Sequence, residues 1–357
     1  MSRHLYISLL ESAMSHTETL PVLDFSLLEG NARQRAEFLR RLNHAARETG
    51  FFYLTHHGVS PELQQRVQRV SRTFFSLPDD EKQRVAMIRS PHFRGYTLAG
   101  AERTRSAPDW REQFDIGAER PALRLLSGDP AWRRLQGPNQ WPESLPALRS
   151  TLLEWQQTLT RISLRLLRAF AELLGLPVTA FDALYGNKPN EHIKLIRYPG
   201  QPVVGSQQGV GAHKDSGFLT LLLQDDQPGL QVELEAGRWV EARPLPGAFV
   251  VNIGELLELA SDGYLRATVH RVVSPPPGQE RLSIAFFLGA QLDAVVPVFP
   301  LSPALATLAR GPASDPNNPL LRDVGWNYLK GRLRSHPEVA KRYYGDVLQA
   351  QQQAETV

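Results

Sequence analysis

His213 and Asp215 stand two apart within residues 209–223, GVGAHKDSGFLTLLL. The run is apolar and β-prone, and on a strand residues i and i+2 point to the same face. An imidazole and a carboxylate would then share one small cavity. Joined by a distant histidine, they make the three-ligand face that holds a mononuclear Fe(II) and leaves coordination positions open for substrate and oxygen. His270 qualifies as the third ligand, because residues 267–273, ATVHRVV, form a second short strand-like run. Further on, Arg281 and Ser283 are again two apart in residues 281–288, RLSIAFFL. On one strand face they offer a planar guanidinium fork and a hydroxyl, a combination that suits a carboxylate. An H-x-D alone has little specificity. The ordered set of H-x-D, a strand histidine downstream and then R-x-S, with turn residues between, is what points to a mononuclear iron site.

The same residues carry a resemblance. The chain resembles the isopenicillin N synthase-like branch of the Fe(II)/2-oxoglutarate-dependent dioxygenases over most of its length. Leu20-Pro21-Val22-Leu23-Asp24-Phe25 is similar to that family's opening strand, and Gly50-Phe51-Phe52 with His56-His57-Gly58-Val59 to its next strand and turn. Val251-Asn252-Ile253-Gly254-Glu255-Leu256-Leu257 matches a third segment, with Glu255 where an aspartate is commoner, and Asp262-Gly263-Tyr264 leads into His270-Arg271-Val272 as in the family. The resemblance implies His213, Asp215 and His270 as Fe(II) ligands, and Arg281 with Ser283 as the anchor for the distal carboxylate of 2-oxoglutarate. Tyr198, in Tyr198-Pro199, would assist, although Ile196 stands where the family's N-x-Y-P context has asparagine. The implied reaction uses O2 and couples oxidative decarboxylation of 2-oxoglutarate to hydroxylation, desaturation or cyclisation of a small organic substrate. A second reading keeps the iron but not 2-oxoglutarate. Arg281, Ser283 and Tyr198 would then hold the carboxylate of the substrate itself, such as a short peptide. A third reading, a non-catalytic jelly-roll that binds a ligand or structural metal, sits poorly with the retention of all three ligands.

Composition bounds the remaining classes. With 357 residues, 42% of them hydrophobic, the chain can bury a large core as one domain or two intimate ones. The formal charge of +3 comes without any arginine- or lysine-rich block, so nucleic acid is not an expected partner. Cysteine is absent, which removes disulfides, zinc ribbons, iron-sulfur clusters and thiol nucleophiles together. No run approaches a membrane-spanning length, and the apolar stretch over 5–10 is too short for a signal peptide. These features suggest a cytoplasmic enzyme acting on a small molecule or short peptide. Nothing in the pattern indicates an oligomeric state.

The elements that must position these groups follow from periodicity. Amphipathic helices are expected over 31–49 and 61–76, the second with Ser60 as N-cap and Pro61 in its first turn, and a strand over 51–55 between them. His56 and His57 lie in the next turn and, as neighbours, would not chelate one ion. Leu148, Leu152, Trp155, Leu159, Ile162, Leu166, Ala169 and Leu173 make an apolar stripe for a long helix over 145–174. From His192 the period changes to short β runs: 193–198, 219–223, 230–232, 239–242, 248–253, 267–273 and 282–288, with a short helix over 254–260. Seven or eight such strands fit a double-stranded β-helix, so the fold class is α+β: a jelly-roll core braced by N-terminal, central and C-terminal helices. Helices are expected again over 324–333 and 338–353. The expected divisions are an irregular extension at 1–19, with Met14 as an alternative start, an N-terminal region at 20–140, the long helix and catalytic core at 141–300, and a helical extension at 301–357. Residues 91–116, with their mixture of aromatic, basic and turn residues, read as a functional loop, and the resemblance implies that it lines the substrate entrance, with Arg94 and Tyr96 as candidate substrate contacts beside Trp110. Phe249 and Phe287, with Phe286 and Leu223, are candidate cavity walls wherever they face inward. His4, His16, His44, His92 and His336 read as solvated, and His192 as a group near the substrate.

Overall fold

The computed structural model describes residues 19–186, 188–200, 208–313, 315 and 318–355. Apart from Thr19, the extension expected at 1–19, with His4, His16 and Met14, lies outside these residues. Strands β1 (Val22–Asp24) and β2 (Phe51–Thr55) run parallel on either side of helix α1 (Ala32–Glu48) in the chain. Asn31 starts α1 with a capping box, accepting from the Gln34 amide at 3.0 Å while the Gln34 side chain accepts from the Asn31 amide at 2.9 Å. Gly50 turns the chain into β2 at φ 65°, where a Cβ would meet the Arg266 carbonyl oxygen at 2.2 Å. Helix α2 (Pro61–Phe75) follows, with Ser60 capping it.

The other strands are β3 (Gly95–Thr97), β4 (Arg103–Thr104), β5 (Ala107–Pro108), β6 (Glu112–Gly117), β7 (Asn190–Pro199), β8 (Gln208–His213) and β9 (Leu219–Gln224). They continue with β10 (Leu230–Glu235), β11 (Arg238–Glu241), β12 (Phe249–Ile253), β13 (His270–Val273) and β14 (Glu280–Gly289). Eight form the large sheet, in the order β1-β2-β12-β9-β14-β7-β6-β3, and four the small one, β11-β10-β13-β8; β4 and β5 make a separate hairpin. Phe51, Tyr53, Ile196, Tyr198, Val250 and Ala285 of the large sheet pack with Val210, Leu230, Val232, Val240 and Val272 of the small one. This is the expected jelly-roll, with its core between the sheets. The outer face of the large sheet builds a second core against helix α3 (Pro146–Leu173), where Leu152, Trp155, Leu159 and Leu166 are buried.

Strand parity sorts every residue between these two cores. On β14, Leu282, Ile284, Phe286 and Leu288 pack outward with α3, and Arg281, Ser283, Ala285 and Phe287 point between the sheets. Opposite them on β7, Ile193 and Leu195 go outward and His192, Lys194, Ile196 and Tyr198 inward.

Three expectations need correction. Residues 91–116 are not a loop but hold β3 to β6. The inward positions of β6 are the polar Gln113 and Asp115, so its alternation with Phe114 and Ile116 did not read as a strand flanking a core. The strand expected from 267 begins at His270. The single helix expected at 338–353 is two, α6 (Pro337–Tyr343) and α7 (Gly345–Glu355), because the chain turns at Tyr344 to stack its ring on Phe93, 5.4 Å between centroids. They follow α4 (Glu255–Ala260) and α5 (Val324–Ser335), which lie near their expected positions.

Candidate active site

Strand β8 ends at His213, so Asp215 is not the alternate residue of a strand as its spacing suggested; it sits in the turn before β9. What aims it is a pair of hydrogen bonds to Oδ2, from Thr220 Oγ1 at 2.5 Å and Asn252 Nδ2 at 2.8 Å. The β8–β13 register sets His213 opposite His270, with ring centroids 4.3 Å apart. Asp215 Oδ1 is 3.6 Å from Nε2 of each imidazole, and the three donor atoms lie within 4.8 Å of one another. The Nδ1 atoms turn back to carbonyls two residues earlier, His213 to Gly211 at 2.8 Å and His270 to Thr268 at 3.2 Å. Donation from Nδ1–H to a carbonyl fixes the tautomer and leaves both Nε2 lone pairs facing the carboxylate. Burial opposes ionisation of Asp215, but His270, His213 and Asn252 outweigh it and hold the carboxyl well below its usual range. Burial, reinforced by His213, lowers His270 to about 4, which keeps that imidazole neutral. Burial works against protonation of His213 too, yet the contact with Asp215 raises it. Two imidazoles and one carboxylate, without a thiolate, form a donor set that suits Fe(II).

On the same inter-sheet side, Arg281 is fully buried on β14. Its Nη2 donates to Gln224 Oε1 at 2.6 Å, and its guanidinium carbon is 5.1 Å from the Tyr198 ring centroid. Arg281 Nε and Nη1 and the neighbouring Ser283 Oγ are buried without a hydrogen-bond partner in the protein. Three polar atoms left unpaired in one place are costly unless an anion meets them. A carboxylate fits this cradle, which is what the spacing of Arg281 and Ser283 predicts.

Beside the cluster opens a cavity of about 1540 Å³, walled by His213, Asp215, Ile196, Phe287, the β4–β5 hairpin and α5. Sequence reasoning missed the ionic array on its wall. Glu102 pairs with Arg111 at 2.8 Å and with Lys194 at 3.2 Å; Lys194 reaches Asp115 at 3.3 Å, and Asp115 pairs with His192 at 2.7 Å and Arg332 at 3.3 Å. Burial would raise the Asp115 carboxyl, but Lys194, the His192 hydrogen bond and Arg332 hold it well below the usual carboxylate range. Period-two polar residues within β6 and β7 were the available signal; Arg332, far away in α5, gave none.

The other expected contacts lie elsewhere. Phe287 lines the cavity, whereas Phe249 faces outward under α3, 5.7 Å from Trp155 between ring centroids, and Phe286 and Leu223 share that outer core. Arg94 is buried against backbone carbonyls, donating to His92 at 2.9 Å and Leu135 at 3.3 Å, and Tyr96 donates to Glu112 at 2.6 Å beside Phe74. Neither lines the cavity. His44 is exposed, but His92 is half-buried against the Arg134 carbonyl at 2.6 Å, and His336 is buried 3.4 Å from Glu102. His56 and His57 point apart, to Asp24 at 3.2 Å and to the Gly247 carbonyl at 2.9 Å.

The buried His336 carries a pH prediction. Burial lowers it to about 4, so the folded state refuses a proton that the unfolded chain takes up near its ordinary value. Stability is therefore full above pH 7 and is lost as pH falls toward 4. This one group should remove about 2 kcal/mol between pH 7.5 and pH 5. Urea unfolding at the two pH values should show the loss, and His336→Gln should reduce it by that amount.

Fold and site together define a mononuclear non-haem oxygenase. Comparison with known proteins narrows this. Residues 20–144 match the family described as non-haem dioxygenase in morphine synthesis N-terminal, and residues 189–290 match the 2OG-Fe(II) oxygenase superfamily. The chain is 34% identical over 351 residues to the 2-oxoglutarate-dependent dioxygenase frbJ of Dothideomycetidae sp. (strain 11243), covering 93% of this chain and 94% of the relative. A homoarginine-6-hydroxylase of Arabidopsis thaliana is 36% identical over 292 residues, 78% of this chain and 87% of that one. Among solved structures, a full-length Neurospora crassa protein crystallised in complex with alpha-KG superposes with a TM-score of 0.69 at 30% identity, covering 81% of this chain and 90% of that chain. The chain belongs to the 2OG-Fe(II) oxygenase superfamily. It is an Fe(II)/2-oxoglutarate-dependent dioxygenase that uses O2 and acts on a small organic molecule, and the relatives support this reaction over an oxidase that dispenses with 2-oxoglutarate. Among the described residues no helix is long and apolar enough to cross a membrane.

Proposed function

We propose that His213, Asp215 and His270 hold the Fe(II), that Arg281, Ser283 and Tyr198 receive the far carboxylate of 2-oxoglutarate, and that the prime substrate is a small, strongly polar molecule. The observation that carries the assignment is the set of groups gathered around the inter-sheet space: a buried guanidinium and hydroxyl with unpaired atoms on the inward face of β14, three metal-ligating donors within 4.8 Å of one another, and an ion-lined cavity that His213 and Asp215 border. Bound in the cluster, Fe(II) supplies oxygen activation driven by decarboxylation of the 2-oxo acid. The chain's own contribution is placement. Thr220 and Asn252 hold Asp215 in its ionised form, the Gly211 and Thr268 carbonyls keep both Nε2 atoms facing it, and Arg281 fixes the depth at which the 2-oxo acid stops. In this reading residues 20–140 supply the hairpin at the mouth, 141–300 the catalytic core and 301–357 the helices that close the cavity.

The polar substrate class follows from the wall. Lys194, Glu102, Arg332 and His192 border the space next to the ligands, where Ile196, Leu256, Val269, Val324 and Phe287 are apolar contacts. An apolar molecule would strip water from these groups and return no hydrogen bonds. The relative named for hydroxylation of homoarginine, a charged amino acid, supports the same class.

The test is anaerobic titration of the Fe(II)-loaded protein with 2-oxoglutarate, read by the visible charge-transfer band of a chelated 2-oxo acid. The band is expected in the parent and absent in Asp215→Ala. A panel of polar amino acids should then stimulate succinate formation. Stimulation by apolar ring compounds alone would overturn the substrate class, and an unchanged band in Asp215→Ala would overturn the ligand assignment.

A further inference from the structure

Strand β8 carries His213 and is the outermost strand of the small sheet. Its free edge is covered by the segment that contains the β4–β5 hairpin. Trp110 N donates to the Gln208 carbonyl at 3.1 Å, and Gly211 N donates to Asp109 Oδ1 at 3.2 Å. The same Oδ1 accepts from Gln208 Nε2 at 3.0 Å, while Oδ2 accepts from Thr104 Oγ1 at 2.8 Å and lies 3.3 Å from Arg111 Nη2. Asp109 is fully buried, so its four contacts satisfy it from within the protein.

Gly211 is where this carboxylate meets the metal site. Its N–H is held by Asp109, and its carbonyl orients His213 through Nδ1 at 2.8 Å. The approach is close, since a Cβ on residue 211 would come within 2.9 Å of Thr104 Cγ2. Thr104, Arg105 and Ser106 of the hairpin line the cavity, and the last two form its turn at φ 50° and 68°, backbone that non-glycine residues adopt at a cost.

We propose that Asp109 is a positioning residue for the metal centre: through Gly211 it sets the orientation of His213, and through Thr104 it ties that ligand to the hairpin over the cavity. The inference rests on the assignment of His213 as an iron ligand. Groups hydrogen-bonded directly to a metal ligand change metal affinity by about 10- to 100-fold when removed, and Asp109, one link further out through Gly211, falls at the low end of that range.

The experiment is anaerobic titration of the full chain with Fe(II), and with Co(II), whose visible spectrum reports coordination geometry, for the parent, Asp109→Ala, Asp109→Asn and Asp215→Ala. Asp109→Ala should bind both ions about 10-fold more weakly, the low end for groups that orient a ligand, with an altered Co(II) spectrum. Asp109→Asn keeps an oxygen for Gly211 N–H and should restore the parent spectrum. Circular dichroism establishes that each variant is folded; if Asp109→Ala is not, Asp109→Ser, whose short hydroxyl cannot span Gly211 and Arg111 together, takes its place under the same criterion. Parent affinity and spectrum in the folded Ala or Ser variant would falsify the proposal, as would equal losses in the Asn and Ala variants. The two failures are distinguishable. If Asp215→Ala loses the metal and Asp109→Ala does not, only the positioning role falls; if Asp215→Ala binds like the parent, the metal site itself was misassigned.

Discussion

Arg281→Ala should weaken 2-oxoglutarate binding to the Fe(II)-loaded protein by about 100- to 1000-fold, the 3–4 kcal/mol typical of removing one partner from a buried charged contact. The guanidinium is fully buried and two of its nitrogens have no protein partner, so a carboxylate delivered there keeps nearly the whole interaction. The loss should be selective. A 2-oxo acid without the second carboxylate, such as 2-oxobutyrate, never reaches Arg281, and its affinity should change little. Anaerobic titrations with both acids measure the two effects. Equal losses for both would place the anchor elsewhere.

Asp115→Ala should destabilise the fold by about 3 kcal/mol, the low end for breaking a buried pair, because Arg332 is left buried without its carboxylate while Lys194 keeps Glu102. That is a large fraction of the roughly 5–15 kcal/mol available to a folded domain. The change should also loosen α5, which Arg332 fastens to β6 and β7 through Asp115 and, at 3.1 Å, through Nδ1 of His192. Urea unfolding gives the first quantity, and limited proteolysis read by mass spectrometry gives the second, as early cleavage within 324–355. A loss below about 1 kcal/mol, or intact C-terminal helices at parent protease levels, would show that the array contributes little.

How much of this was legible depended on whether the signal was local. The long helix, α1 and the strands from β7 onward that bury apolar residues follow periods of 3.6 and 2 that a short window contains, and these were expected near where they lie, whereas β3 and β6 were not. His213, His270 and Arg281 could be picked out because strands space their side chains regularly. Asp215 was picked for a partly mistaken reason: the strand stops before it, and Thr220 and Asn252 do the aiming. Parity was the harder problem. Phe286 and Phe287 are neighbours of one residue type, yet one belongs to the core under α3 and the other to the cavity, and only the register of β14 decides which. The ionic array was invisible because its members come from β6, β7, the hairpin and α5. A lone charged residue in such places reads as solvated, as His336 did.

The large sheet joins distant parts of the chain: β2, near the start, pairs on one side with β1 and on the other with β12, roughly two hundred residues later. Until β12 has left the ribosome, Phe51-Phe52-Tyr53-Leu54 presents an apolar strand edge with no partner, of the kind that pairs wrongly with other chains. Folding of the N-terminal third should therefore be slow and wait until β12 has been made, dominated by loop closure. Recombinant yield should respond to lower temperature and to chaperone supply more than to changes at the catalytic centre.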